Sequence, residues 1–193
     1  MTLDHQALFG AFLSPHGRAS GPQGHLVRAA RLDGVAALAG ARVGLLWNTK
    51  RNAELLLVEL GRLLIEQYGA EVTARQAPYA HAVPLDGPDL HSLIDSCDLA
   101  VVGVGDCGSC AAAAINDGIT LERHGIPAAV ICSDAFDVTA RATAEVQGDP
   151  DYPFLTTPHP IAVLAETQVV RRAEQLLPGV VARLIVQAEG AAS

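Results

Sequence analysis

Apolar and polar positions along the chain fall into short segments of two kinds. "ARVGLLW" (41–47), "DLAVVGV" (98–104) and "IPAAVICS" (126–133) are nearly continuous apolar runs. Runs of that length read as strands buried on both faces. "EVTARQA" (71–77) alternates and reads as another strand, and "YPFLTTPHP" (152–160) as a last strand or extended segment. Between them, "AELLLVELGRLLIEQYG" (53–69) places Leu56, Leu60, Leu63 and Leu64 on one helical face, with Gly69 suited to its end. "DLHSLIDS" (89–96), "AAAAINDGITLERHG" (111–125) and "DAFDVTARATAEVQG" (134–148) read as helices. So does "IAVLAETQVVRRAEQLL" (161–177), which Pro178 is expected to stop. The proline-rich "PYAHAVPLDGP" reads as an irregular exposed loop, and 179–193 as weakly helical.

Alternating strands and helices predict an α/β domain with a single doubly wound, mostly parallel sheet between two helical layers, in flavodoxin-like order. Residues 1–38 carry "SPHGRASGPQGH" and no period. They read as an irregular N-terminal arm over the core or over a partner subunit, or equally as a disordered tail, and 39–193 as the α/β domain. Ligands of such sheets bind beyond the carboxyl ends of the strands. The residues expected to converge there are Asn48 and Lys50, Gln76 and Tyr79, Asp106 and Cys107, Ser133 and Asp134, and His159.

Composition narrows the function. The 193 residues are half apolar and poor in aromatics, and the formal net charge is -8. That acidity, with no Lys/Arg cluster, argues against nucleic acid and anionic membranes. No apolar run approaches the roughly 18 residues of a spanning helix. The first residues lack a basic n-region, so a cytoplasmic location is expected. There Cys97, Cys107, Cys110 and Cys132 should be reduced, and a CxxC pair more catalytic or metal-binding than structural.

That pair lies in "GDCGSC" (105–110), where a strand should end and a helix begin. Gly103 and Gly105 are expected to let the chain bend tightly out of the strand. Cys107 then precedes a helix starting near Cys110, where unpaired N–H groups stabilise a thiolate. By the geometry of such pairs Cys107 attacks and Cys110 resolves, while Gly108 and Ser109 admit a substrate. A zinc site would need two further ligands, and only His159 is well placed, so no metal or other cofactor is expected. Two small buried residues without chemistry remain the alternative. Cys97 and Cys132 read as packing residues beside apolar strands.

Polar residues around the pair complete the candidate site. Lys50, with Asn48 and Asn52 of "NTKRN", is placed to bind a carboxylate or phosphate, and no nucleotide-binding glycine motif is present. Asp106 is expected to hold its loop or accept a proton. Gly105, Ser133 and Asp134 border the same crevice, the last two doubling as helix caps. His159, between two prolines, is a general acid/base candidate. Asp117 and Glu122 lie on helix 111–124; Asp117 reads as a support behind the crevice or, more simply, as part of a solvated face, and His81, His91 and His124 read as surface.

"GVGDCGSC" followed by "INDGITLERHGIPAAVICSDAF" resembles the UGSC family, in which selenocysteine or cysteine fills the first motif position. "GLLWNTKRNAELLL" and "TTPHPIA" resemble further segments of it, so the resemblance runs from about residue 32 to 165. The pattern is also similar to selenoprotein B subunits of glycine-type reductases and, more distantly, to cysteine-dependent aspartate/glutamate racemases. The resemblance implies nucleophilic or redox chemistry at Cys107. The chain departs from the family where "AAAA" follows Cys110 and Asn116-Asp117 stands for a His-Asp pair, so that helix lacks a proton-handling histidine. The expected function is thiol–disulfide or reductase-type chemistry on a small anionic molecule, with an external thiol reductant. The alternatives are a non-redox lyase, dehydratase or racemase, and a non-catalytic accessory or ligand-binding subunit. Partners would be the small-molecule substrate and possible protein subunits, including further copies of the chain.

Overall fold

A computed structural model describes residues 28–76 and 87–186. Residues 1–27 of the expected arm, Tyr79, His81 and most of the proline-rich loop lie outside the described residues. The elements run β1 (Leu32–Asp33), a 3-10 turn at Val35–Leu38, β2 (Arg42–Trp47), α1 (Ala53–Tyr68), β3 (Glu71–Gln76), α2 (Gly87–Ser96) and β4 (Leu99–Gly105). There follow α3 (Gly108–Arg123), β5 (Ala128–Ser133), a 3-10 turn at Asp134–Phe136, α4 (Asp137–Val146), β6 (Leu155–Thr157), α5 (Glu166–Leu184) and β7 (Ile185–Val186).

Five strands pair in parallel in the order β3-β2-β4-β5-β6, the doubly wound, flavodoxin-like order. The apolar runs need cover on both faces, and helices supply it. On one face α1 and α5 pack over Val43, Leu45, Leu99, Val101, Ala129 and Ile131. On the other, α2, α3 and α4 pack over Leu46, Ala100, Val102, Ala128, Val130 and Cys132. The helical stripe read from spacing is real: Leu56, Leu60 and Leu64 are fully buried and Leu63 nearly so.

Several boundaries differ from the sequence reading, three of them in α5 and β6. Pro178 lies inside α5, which continues to Leu184. An interior proline costs about 3 kcal/mol or more. Burial of Leu177, Val180, Val181 and Leu184 contributes about 1.5–3 kcal/mol each, which offsets it. Helix α5 also starts later than expected, so 161–165 remains a loop. The last strand shrinks to Leu155–Thr157, hemmed by Pro153 and Pro158.

The described end of the arm is bound to the core. Residues of β1 pair with β7, Leu32 against Ile185. Arg28 forms a two-pronged ion pair with Asp149 at 2.8 and 3.1 Å. Arg31 pairs with Glu122 at 2.7 Å. Glu122 also accepts from Ala29 N and Ala128 N. Glu122 and Asp117 are both buried, so the solvated face read as the simpler alternative for Asp117 does not hold.

One irregularity positions the site. Against β5, strand β4 carries an extra residue between Gly103 and Gly105. Side chains alternate along a strand, so a one-residue slip exchanges the faces of everything after it. Val104 accordingly joins Leu99 and Val101 on the α1–α5 side. Asp106, two residues on, emerges on that same side.

Candidate functional site

Strand order reverses between β2 and β4, so the loops that follow these strands bracket the crevice of the sheet. After β4 come Asp106 and Cys107. Cys107 is the N-cap of α3, in extended backbone, and its Sγ accepts a hydrogen bond from Cys110 N at 3.2 Å. The helix begins two residues earlier than expected, so the Cys110 amide of its first turn faces the sulfur. Cys107 is half-buried and Ser109 exposed, whereas Cys110 is fully buried in that turn. Cys107 and Cys110 form a disulfide, with Cα atoms 5.0 Å apart. Ser109 Oγ is 3.5 Å from Cys107 Sγ, and Gly108 borders open space. Ser109 also opens a groove of about 520 Å³ between α3 and α4, walled by Ala112, Ala113, Val138, Ala142 and Val146.

Gly105 has a different role from the bend expected of it. Neither it nor Gly103 has positive φ, and both belong to β4. A Cβ at 105 would stand 2.5 Å from Cys132 Sγ and 2.9 Å from Ala111 Cα. The glycine lets α3 approach β4, which brings the first turn of α3 down over the strand end.

Asp106 is buried beneath the loop that follows β6. Its carboxylate accepts from Ile161 N at 3.1 Å, Ala162 N at 3.0 Å and His159 Nδ1 at 2.9 Å. Burial by itself would push this carboxyl up; the backbone donors Ile161 and Ala162, with Ser133 and His159, outweigh it and hold it below the usual range. Fully buried Ser133 donates to Gly105 O at 3.1 Å and sits 3.3 Å from the same His159 nitrogen. Asp134 accepts from His159 N at 2.9 Å, and Phe136 meets the imidazole edge-on at 5.4 Å between ring centres. The His159 side chain is about a third exposed. A carboxylate acceptor fixes the proton on Nδ1 and leaves Nε2 as the basic nitrogen.

The first loop divides its residues. Asn48 is buried; its Nδ2 donates to Val104 O at 2.8 Å and its Oδ1 accepts from Lys50 N at 3.2 Å. Asn52 takes a left-handed conformation, φ 68°, and its Nδ2 donates to Ile161 O and Leu164 O, both at 2.9 Å. Lys50 is half-buried, and its ammonium makes no ion pair among the described residues. Gln76 closes β3.

The structure thus brings Asp106, Ser133, Asp134 and His159 into one hydrogen-bonded cluster and sets the Cys107–Cys110 pair in sequence beside it. Sequence reasoning missed the backbone of 161–162 as the cradle of Asp106, since no side-chain pattern reports which amides face a carboxylate. The remaining thiols are packing residues. Burial pushes Cys97 up to about 11 and Cys132 up to about 12. Among the described residues no group of three or more His, Cys, Asp or Glu is placed to hold a metal ion, and no helix is long and apolar enough to cross a membrane.

Fold and site define a parallel α/β protein with a cysteine pair at a helix N-terminus on the switch-point crevice. The chain belongs to the UGSC family, whose model matches residues 12–186. It has no match among curated proteins or among solved structures. None of these comparisons bears out the similarity to selenoprotein B subunits.

Proposed function

We propose that the protein is a cysteine-dependent enzyme acting on a small anionic molecule, with Cys107 as nucleophile and Cys110 as resolving thiol. The observation that carries this reading is the half-buried Cys107 sulfur on the N-cap of α3, within bonding reach of buried Cys110. Amides of the first turn lower the free energy of a thiolate there. In the reduced protein Cys107 thiolate attacks an R–X or S–S bond. A bond from Cys107 sulfur to the substrate forms, and the leaving group departs with the bonding electrons and the proton that His159 Nε2 took up when the Cys107 thiol ionised. Cys110 thiolate then attacks Cys107 sulfur. The rest of the substrate leaves with an electron pair and takes up a proton, and the cysteine pair is oxidised to the disulfide. An external dithiol restores it by exchange.

The hydrogen bond of His159 to Asp106 favours a second reading. Such a pair moves protons without any change in the cysteines, as a lyase, dehydratase or racemase requires.

The redox reading is tested on reduced protein treated with 5,5′-dithiobis(2-nitrobenzoate), an anionic disulfide. Under the redox reading wild type releases two thionitrobenzoate ions for each cysteine pair and closes the disulfide. Cys110→Ser releases one and keeps the other as a mass adduct on Cys107. Retention of the adduct by wild type would sink the redox reading.

A further inference from the structure

We infer that Asn52 is a positioning residue for the Asp106–His159 pair. This rests on the reading of His159 as the proton-transfer group. No hydrogen bond among the described residues joins Asn52 to Asp106 or His159. Asn52 acts through the loop after β6, a turn from Ile161 to Ala165 with one backbone hydrogen bond of its own, Leu164 N to Ile161 O at 3.1 Å. Its amide spends both protons on that loop, one on Ile161 O and one on Leu164 O, at 2.9 Å each. Amides of the same segment, Ile161 N and Ala162 N, point at Asp106. Asp106 in turn accepts from His159 Nδ1. The loop is therefore held from two sides, by Asn52 through its carbonyls and by Asp106 through its amides.

The backbone at Asn52 supports the assignment. Its φ of 68° lies in the left-handed region, which asparagine tolerates better than most residues. Glycine would meet that conformation with less strain, and its absence points to the side chain. Asn52 makes no side-chain cap to α1, the usual local use of an asparagine at that position. Its amide is committed 109 and 112 residues away. Lys50 sits two residues before it in the same loop. A ligand anion held by Lys50 and the imidazole of His159 thereby share one mount.

The test is the His159 tautomer, read at neutral pH from long-range ¹⁵N–¹H correlations of the substrate-free protein. Wild type is expected as the Nδ1–H form. Asn52→Gly keeps the backbone conformation and removes the amide. It should raise the Nε2–H form by about threefold or more, because the acceptor no longer fixes Nδ1. Asn52→Ser, with one donor, should fall between, and serves if the glycine variant does not fold. A single Nδ1–H form in both variants, or in whichever of them folds, would overturn the inference. Catalysis is read separately: if His159→Ala leaves thiol chemistry unchanged, the acid/base reading fails while the tautomer result stands.

Discussion

His159 Nδ1 meets Asp106 Oδ1 at 2.9 Å across 53 positions of chain. The carboxylate is held ionised by donors from a loop and a strand end, and its affinity for protons is lower than that of a free aspartate. A depressed carboxyl stabilises the fold fully above its unfolded pKa of about 3.9, and that stability is lost as pH falls through the lower folded value. Asp106→Asn should therefore destabilise the protein at neutral pH by roughly 2 kcal/mol, as for a charge-assisted buried hydrogen bond. The gap to wild type should shrink below about pH 4. Urea midpoints of both proteins from pH 7 to 3 check this; a gap that widens on acidification would contradict it.

Cys107 should be the thiol that reacts first in the reduced protein. Its sulfur receives a backbone N–H at a helix start, while Cys97 and Cys132 are buried and pushed up to about 11 and 12. Thiols at helix N-termini titrate in the range of roughly 3.5 to 7.5. Iodoacetamide labelling between pH 5 and 9, read by mass spectrometry of peptides, should show Cys107 modified at pH values where the other two remain free. Faster labelling of Cys97 or Cys132 in folded protein would refute the assignment.

Lys50→Ala should weaken binding of an anionic ligand and barely alter stability. The ammonium makes no ion pair among the described residues, so its removal leaves no orphaned partner there. Surface changes of this kind stay within about 0.5 kcal/mol. Calorimetric titration with a small dicarboxylate or phosphate, beside a thermal melt, separates the two effects. Equal affinity in both proteins would remove Lys50 from the site.

Gly105→Ala should destabilise by about 1–3 kcal/mol, the range for overpacking. The new methyl would overlap Cys132 Sγ and Ala111 Cα. Cys132→Ala removes only the first of these, so Gly105→Ala/Cys132→Ala should recover part of the loss. A double-mutant cycle in denaturant measures it. Full recovery would mean that α3 does not press on the strand end as the structure has it.

The sequence by itself determined the layers. Apolar runs that need cover on both faces and leucines at helical spacing leave few packings, and the doubly wound sheet is the one that buries both. The motif "GDCGSC" likewise announced the helix start, since glycines beside an apolar run and small residues after it are local signals. Only tertiary structure decided the rest. The extra residue in β4 that turns Asp106 toward the 161–162 amides leaves no mark on the pattern of 98–104, because both registers bury valines equally well. The reach of Asn52 to Ile161 and Leu164 joins segments more than 100 residues apart. Pro178 continues a helix that local propensity would end, because four neighbouring side chains are buried by α5. Local chemistry sets propensity, but which partner meets a polar group is fixed only when the elements dock.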